Sequence, residues 1–194
     1  MSNRFDYSHA IATAYRGYEF RSRLEAKYAH WFDLCGWQWS YEPLDLPGWI
    51  PDFALGERRT LVEIKPAWDI KDFADAISKI QAAGYQGDVI LLGADPTACG
   101  RIDGGPCVGW ISIGGTDTDG TFYREEWDLH FGITDANGKL GLCPMGAGWV
   151  NAVWKESGKP ARVWLDGKDV QEVLVERWAK ACNVAKWIPI KEST

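Results

Sequence analysis

Two carboxylates and one ammonium lie close together in this chain, in the alternating pattern of paired strands. Ile50-Pro51-Asp52-Phe53-Ala54-Leu55 and Val62-Glu63-Ile64-Lys65 read as two short strands joined by a polar turn from Gly56 to Thr60. Successive side chains on a strand point to opposite faces. Asp52 and Ala54 therefore share one face, and Phe53 and Leu55 the other. Glu63 and Lys65 likewise share a face, with Val62 and Ile64 opposite. If the strands pair as a hairpin, both carboxylates and the ammonium project from one surface. The apolar residues then anchor the other surface in a core. A hard divalent cation takes a few carboxylates, and Mg²⁺ keeps several waters for substrate oxygens. A lysine beside such a site can hold or deprotonate a water, or neutralise charge developing on phosphorus. That set suits hydrolysis of a phosphodiester.

Elements on both sides must position these groups. From Glu19 to Cys35 there is neither Pro nor Gly, and Gly36 is a natural helix stop. Phe20, Leu24, Tyr28 and Trp31 recur at helical spacing, with Phe32 and Cys35 extending the stripe. Glu25 sits at the edge of that stripe. An acid there either pairs with Lys27 or Arg21 in solvent or reaches a site at the sheet edge. Asp52 and Glu63 downstream favour the second. Asp69 or Asp72 caps a further helix running to about Ala83, with Phe73, Ile77 and Ile80 on one face and Gly84 ending it. Asp88 to Gly93 is a continuous apolar run between polar turns, the pattern of a strand buried on both faces. The first half therefore reads αβββαβ.

Pro51-Asp52 followed by Glu63-Ile64-Lys65 resembles the two halves of the PD-(D/E)XK nuclease motif. Phe20-Arg21-Ser22-Arg23-Leu24-Glu25-Ala26-Lys27 is similar to that superfamily's first core helix, which carries an additional metal-site glutamate; Glu25 is the matching position. Tyr41-Glu42-Pro43 resembles the strand entry before the motif in many phage-type members. Phage junction-resolving endonucleases, transposon-end endonucleases and phage exonucleases all look similar over this block. The resemblance implies an α/β fold with a restriction-endonuclease-like αβββαβ core in residues 1–94. It leaves 95–194 as a β-rich extension that ends in a helix and packs on the core. It implies a deoxyribonuclease dependent on Mg²⁺ or Mn²⁺ in phage or mobile-element DNA processing, endo or exo left open. Asp52, Glu63 and Glu25 would be metal ligands, with the Ile64 carbonyl as a further one. Lys65 would position or activate the attacking water. The alternative is a catalytically inactive nucleic-acid-binding or assembly protein of the same fold.

DNA is the expected partner, with a homodimer left open. Arg21, Arg23 and Lys27 flank the glutamate, and Arg58 sits on the hairpin turn. Trp68 directly follows the second strand and is the best candidate to stack a base. Lys79 could touch phosphate. Gln81-Ala82-Ala83-Gly84-Tyr85 matches the Q-x-x-x-Y signature of RecB-like and phage exonucleases, which brings in Gln81. Gly84 should break the helix before Tyr85, however, so the two side chains need not share a face. The net charge of −6 argues against tight non-specific binding to long duplex. Of the 12 tryptophans, Trp31, Trp127 and Trp178 fit apolar stripes and belong to the core, whereas Trp37, Trp39, Trp49 and Trp68 lie near the acidic residues.

At 194 residues the chain can bury one substantial core. It contains no apolar run near 18 residues and opens on polar residues, so a cytoplasmic location and no membrane partner are expected. Its five cysteines include no C-x-x-C. Cys99, Cys107 and Cys143 with His130 therefore lack the usual zinc spacing, and reduced thiols are expected. In the second half, Val108–Ile113 reads as a strand, Phe122–Thr134 alternates with its phase resetting near Glu126, and Leu140–Cys143 returns as the partner strand after the turn signal at Asp135-Ala136-Asn137-Gly138. Asp169–Ala181 reads as a helix.

Overall fold

The computed structural model describes residues 11–56, 60–96, 101–102, 105–112, 114–116, 118–124, 128–134, 140–144, 164–165 and 168–184. The chain begins with a hairpin, β1 (Thr13–Tyr15) and β2 (Tyr18–Phe20), followed by helix α1 (Arg23–Cys35). Strands β3 (Trp39–Tyr41), β4 (Phe53–Leu55) and β5 (Thr60–Ile64) come next. Helix α2 (Ala74–Ala83) leads to β6 (Val89–Leu92). From α1 to β6 the order is thus helix, three strands, helix, strand. The second half contributes β7 (Arg101–Ile102), β8 (Gly105–Ser112), β9 (Gly114–Thr116), β10 (Phe122–Arg124), β11 (Asp128–Thr134) and β12 (Leu140–Pro144). The short pair β13 (Trp164–Leu165) and β14 (Lys168–Asp169) then precedes helix α3 (Val170–Val184).

The main sheet runs β12-β11-β8-β6-β5-β4-β3, with β7 paired to β8. β5 and β6 are parallel, and the other neighbours are antiparallel. The protein is therefore of mixed α/β class. Both faces of the central sheet are covered, which explains the fully buried Val89–Leu92 run. On one face Phe53, Leu55, Val62, Ile64, Ile90 and Leu92 pack with α1 and α3. On the other, Ala54, Leu61, Val89 and Leu91 pack with Trp49, Phe73, Ala76 and Ile80. Trp31 and Trp178 join the first core, and Trp31 Nε1 donates to the Leu174 carbonyl at 3.3 Å. Trp127 lies outside the described residues.

Local signals account for the helix ends. Gly36 and Gly84 both take left-handed conformations, with φ of 72° and 67°, and close α1 and α2. Asp69 caps a short 3₁₀ turn, Ile70–Phe73, that leads directly into α2. Two expectations are corrected. Phe20 to Ser22 are not helical, because Ser22 is the N-cap of α1 and Phe20 ends β2. The Arg16-Gly17 turn, with φ of 50° and 83°, closes that hairpin. The first motif strand starts at Phe53 rather than Ile50, since Pro51 has no N–H to give a ladder. The alternating run Phe122–Thr134, whose phase resets near Glu126, holds two strands: β10 pairs with β9, while β11 pairs with β8 and β12. The Asp135–Gly138 turn signal and Cys99 lie outside the described residues.

β6 crosses close to the segment after β5. A Cβ built on Gly93 would stand 2.5 Å from the Ala67 carbonyl oxygen, a backbone atom that cannot swing away. That carbonyl accepts from the Ala94 N–H at 2.8 Å, and the Gly93 carbonyl accepts from the Tyr28 hydroxyl at 2.9 Å. Gly93→Ala is expected to destabilise the fold by about 1–3 kcal/mol, the usual cost of overpacking. Urea unfolding checks this, and a midpoint equal to the parent's would contradict it.

Candidate active site

The hairpin pairing brings the acids together. Phe53 stands opposite Val62 and Ala54 opposite Leu61. One step further in the same register, Asp52 faces Glu63. Both then lie on the side of the sheet covered by α2, so the surface from which they project is itself roofed. Asp52 is 2% exposed and Glu63 5%.

Each carboxylate oxygen has a donor. Asp52 Oδ2 accepts from the Ile64 N–H at 2.6 Å, and Oδ1 accepts from Arg21 Nη2 at 2.8 Å. Glu63 Oε2 accepts from Trp49 Nε1 at 2.8 Å, and Oε1 meets the Lys65 ammonium. Lys65 is fixed through its backbone, whose N–H donates to the Leu92 carbonyl at 3.0 Å. Arg21 also reaches Glu42 Oε1 through Nε at 2.9 Å.

Glu25 is buried at the first turn of α1 and is tied to its cap. Ser22 Oγ accepts from the Glu25 N–H and donates to Glu25 Oε1 at 2.7 Å. Glu25 Oε2 accepts from the Tyr41 hydroxyl at 2.6 Å and from the Arg21 N–H at 3.2 Å. The sequence Ser22-Arg23-Leu24-Glu25 is the S-x-x-E signature of a capping box. That signal announces both the helix start and the capping role of Glu25.

Burial pushes the Asp52 carboxyl up to about 7, and the neighbouring Glu63 adds to the rise. Lys65 and the Ile64 N–H pull the other way without cancelling it. The Arg21 guanidinium is about half exposed, so solvent screens its field at Asp52. Burial disfavours the Lys65 ammonium, but Asp52 and Glu63 outweigh it and hold the amine charged above its usual range. Lys65 is therefore a proton donor and a positive charge at neutral pH, not a free base.

An acid raised from 3.8 to about 7 makes the folded state bind more protons than the unfolded one between those values. Its stabilising contribution is full below about pH 4 and is lost as pH rises through 7. At about 1.4 kcal/mol per pKa unit the loss is a few kcal/mol. Thermal melts in EDTA are expected to show the stability of the parent, relative to Asp52→Asn, falling from pH 4 to pH 7. A difference that stays flat across that window would contradict it.

A cleft of about 590 Å³ opens beside these groups. Arg21, Lys65 and Lys79 line it together with Trp49, Glu63, Asp45, Asp72 and Asp75. Trp68 is 62% exposed at the end of the β5 segment. Arg23 and Lys27 are half-buried on α1, on the opposite face of the sheet, and Gln81 is exposed on α2. The helix stops at Ala83, so Tyr85 does not continue the face of Gln81. Arg58 lies outside the described residues.

Among the described residues, no three His, Cys, Asp or Glu side chains converge as a ready metal cage. Mg²⁺ needs only one or two carboxylates, with waters and substrate oxygens completing its shell. Asp52 and Glu63 supply two. Arg21 and Lys65 already pair with the two acids, so a divalent cation would enter by taking over one of these carboxylate oxygens. The donor set fits such an ion. No family model, characterised protein or solved structure matches this chain.

Two contacts at the candidate site were not expected from the sequence. Trp49 orients Glu63 from a loop 14 residues upstream, and Arg21 is the counter-ion of Asp52. No local pattern announces either one. Among the described residues, no helix is long and apolar enough to cross a membrane.

Proposed function

We propose that this protein is a divalent-metal-dependent deoxyribonuclease with a restriction-endonuclease-like core, acting in phage or mobile-element DNA processing. The observation that carries the reading is the placement of Asp52 opposite Glu63 on paired strands, with the charged Lys65 beside them at a cleft. Asp52, Glu63 and the Ile64 carbonyl would hold Mg²⁺ or Mn²⁺, and Glu25 would act through a water. A cation there supplies Lewis acidity toward the phosphodiester and a bound water made acidic near neutral pH. The chain's own groups do the rest. Trp49 keeps Glu63 turned toward the cleft. Lys65 donates to the attacking water or to a phosphate oxygen and offsets the negative charge that grows there. Arg21 and Lys79 offer cationic contacts to the backbone of the strand being cut.

A second reading rests on a specific observation. All four oxygens of Asp52 and Glu63 are satisfied by protein donors. A protein of this fold that binds nucleic acid or assembles without cutting would look the same. Incubation with single-stranded, duplex and branched DNA, with Mg²⁺, Mn²⁺ or EDTA, separates the two. Metal-dependent cleavage is expected; binding without cleavage would favour the second reading.

Trp68 tests the substrate contact. Its ring is exposed, and its backbone N–H donates to Asp72 Oδ2 whatever the side chain is. Trp68→Ala is expected to leave the melting temperature unchanged and to weaken single-stranded DNA binding about tenfold, within the range of one base–aromatic stack. Fluorescence anisotropy measures this, and equal affinities would remove Trp68 from the interface.

A further inference from the structure

We infer that Arg21 is an exchangeable counter-ion: it occupies Asp52 until a divalent cation displaces it, and it then stays at the cleft mouth on Glu42. The inference rests on the metal site proposed above. Asp52 Oδ2 is committed to the backbone N–H of Ile64 at 2.6 Å. Oδ1 is the oxygen left for a cation, and Arg21 Nη2 sits on it at 2.8 Å. The Asp52 side chain is 3% exposed and does not line the cleft. Arg21 does line it and is 54% exposed. The guanidinium therefore covers Asp52 from the cleft side. A divalent cation on Oδ1 and a guanidinium at contact distance repel each other, so a metal that uses Asp52 is expected to push Arg21 aside.

The structure provides a place for the arginine to go. Its Nε already meets Glu42 Oε1 at 2.9 Å, and that carboxylate is 35% exposed. Glu42 is one of two non-glycine residues with positive φ among the described residues, at 41°. Its N–H donates to the Asp52 carbonyl at 3.0 Å, which anchors this unusual conformation to the motif strand. Glu42 is thus locked where it can hold Nε while the Nη groups leave. A guanidinium tethered there keeps its bidentate edge for a phosphate of the substrate. Metal loading and phosphate capture would then be one rearrangement.

The test uses the full chain. Calorimetric titration with Mn²⁺ is expected to give about tenfold tighter binding to Arg21→Gln than to the parent, because one charge-assisted hydrogen bond no longer competes. A crystal structure of the parent with Mn²⁺ is expected to show Arg21 off Asp52 and still on Glu42. Unchanged or weaker Mn²⁺ binding by Arg21→Gln overturns the exchange. So does an Arg21–Asp52 pair that persists in the Mn²⁺ complex. The crystal structure alone decides if the variant does not fold. No Mn²⁺ binding by either protein would overturn the exchange and the proposed nuclease together.

Discussion

Asp52→Asn and Glu63→Gln are each expected to lower Mg²⁺-dependent DNA cleavage by about a thousandfold or more while the fold persists. The two carboxylates face each other across the β4–β5 hairpin. Each amide keeps the shape of the acid but removes one unit of charge from the cation. Several kcal/mol of transition-state stabilisation depend on that charge, and each 1.4 kcal/mol is about tenfold in rate. The fold should survive because the structural hydrogen bonds can be kept. An asparagine oxygen can still accept from the Ile64 N–H, and a glutamine oxygen can still accept from Trp49 Nε1. Asp52→Asn also removes an acid that burial makes costly in its ionised form. Cleavage assays beside circular dichroism measure both halves. Activity within a few fold of the parent in both variants would sink the nuclease reading.

The sequence made the centre of this fold legible because its signals are local and strong. The Val89–Leu92 run is apolar at every position, and the structure buries it on both faces. Gly36 and Gly84 are glycines at left-handed positions, where other residues would be strained. The motif hairpin follows from alternation alone, and its register places Asp52 and Glu63 as alternation requires. The first hairpin was hidden by a coincidence of spacing. Phe20 enters the same core as Tyr28, Trp31 and Phe32 but does so from β2, so the helical stripe appeared to begin one turn early. The cap at Ser22 and the Arg16-Gly17 turn are the signals that divide the two elements. Burial of the acids was not legible. It arises because α2 and Trp49 cover the second face of the sheet, and such cover is a tertiary property. Arg21 could be placed near the site by sequence, but only the structure shows which carboxylate it meets.

Lys65→Ala is expected to slow the chemical step by about 10²–10³, the usual cost of deleting one donor to a developing oxyanion, while Mn²⁺ affinity does not fall below that of the parent. The reason lies in the charge state of the amine. Asp52 and Glu63 hold Lys65 protonated despite its burial, so it cannot be a metal ligand in this arrangement. It cannot accept a proton from water either, unless it is first discharged. Its contribution must come from donation and positive charge. Removing it also frees Glu63 Oε1, which the ammonium now occupies. Metal binding should therefore not weaken, even though one stabilising contact is lost. Single-turnover cleavage at saturating Mn²⁺ isolates the chemical step, and calorimetry gives the affinity. If Mn²⁺ binding collapses and the chemical step is spared, Lys65 is a structural partner of Glu63 rather than a group that acts on the reacting phosphate.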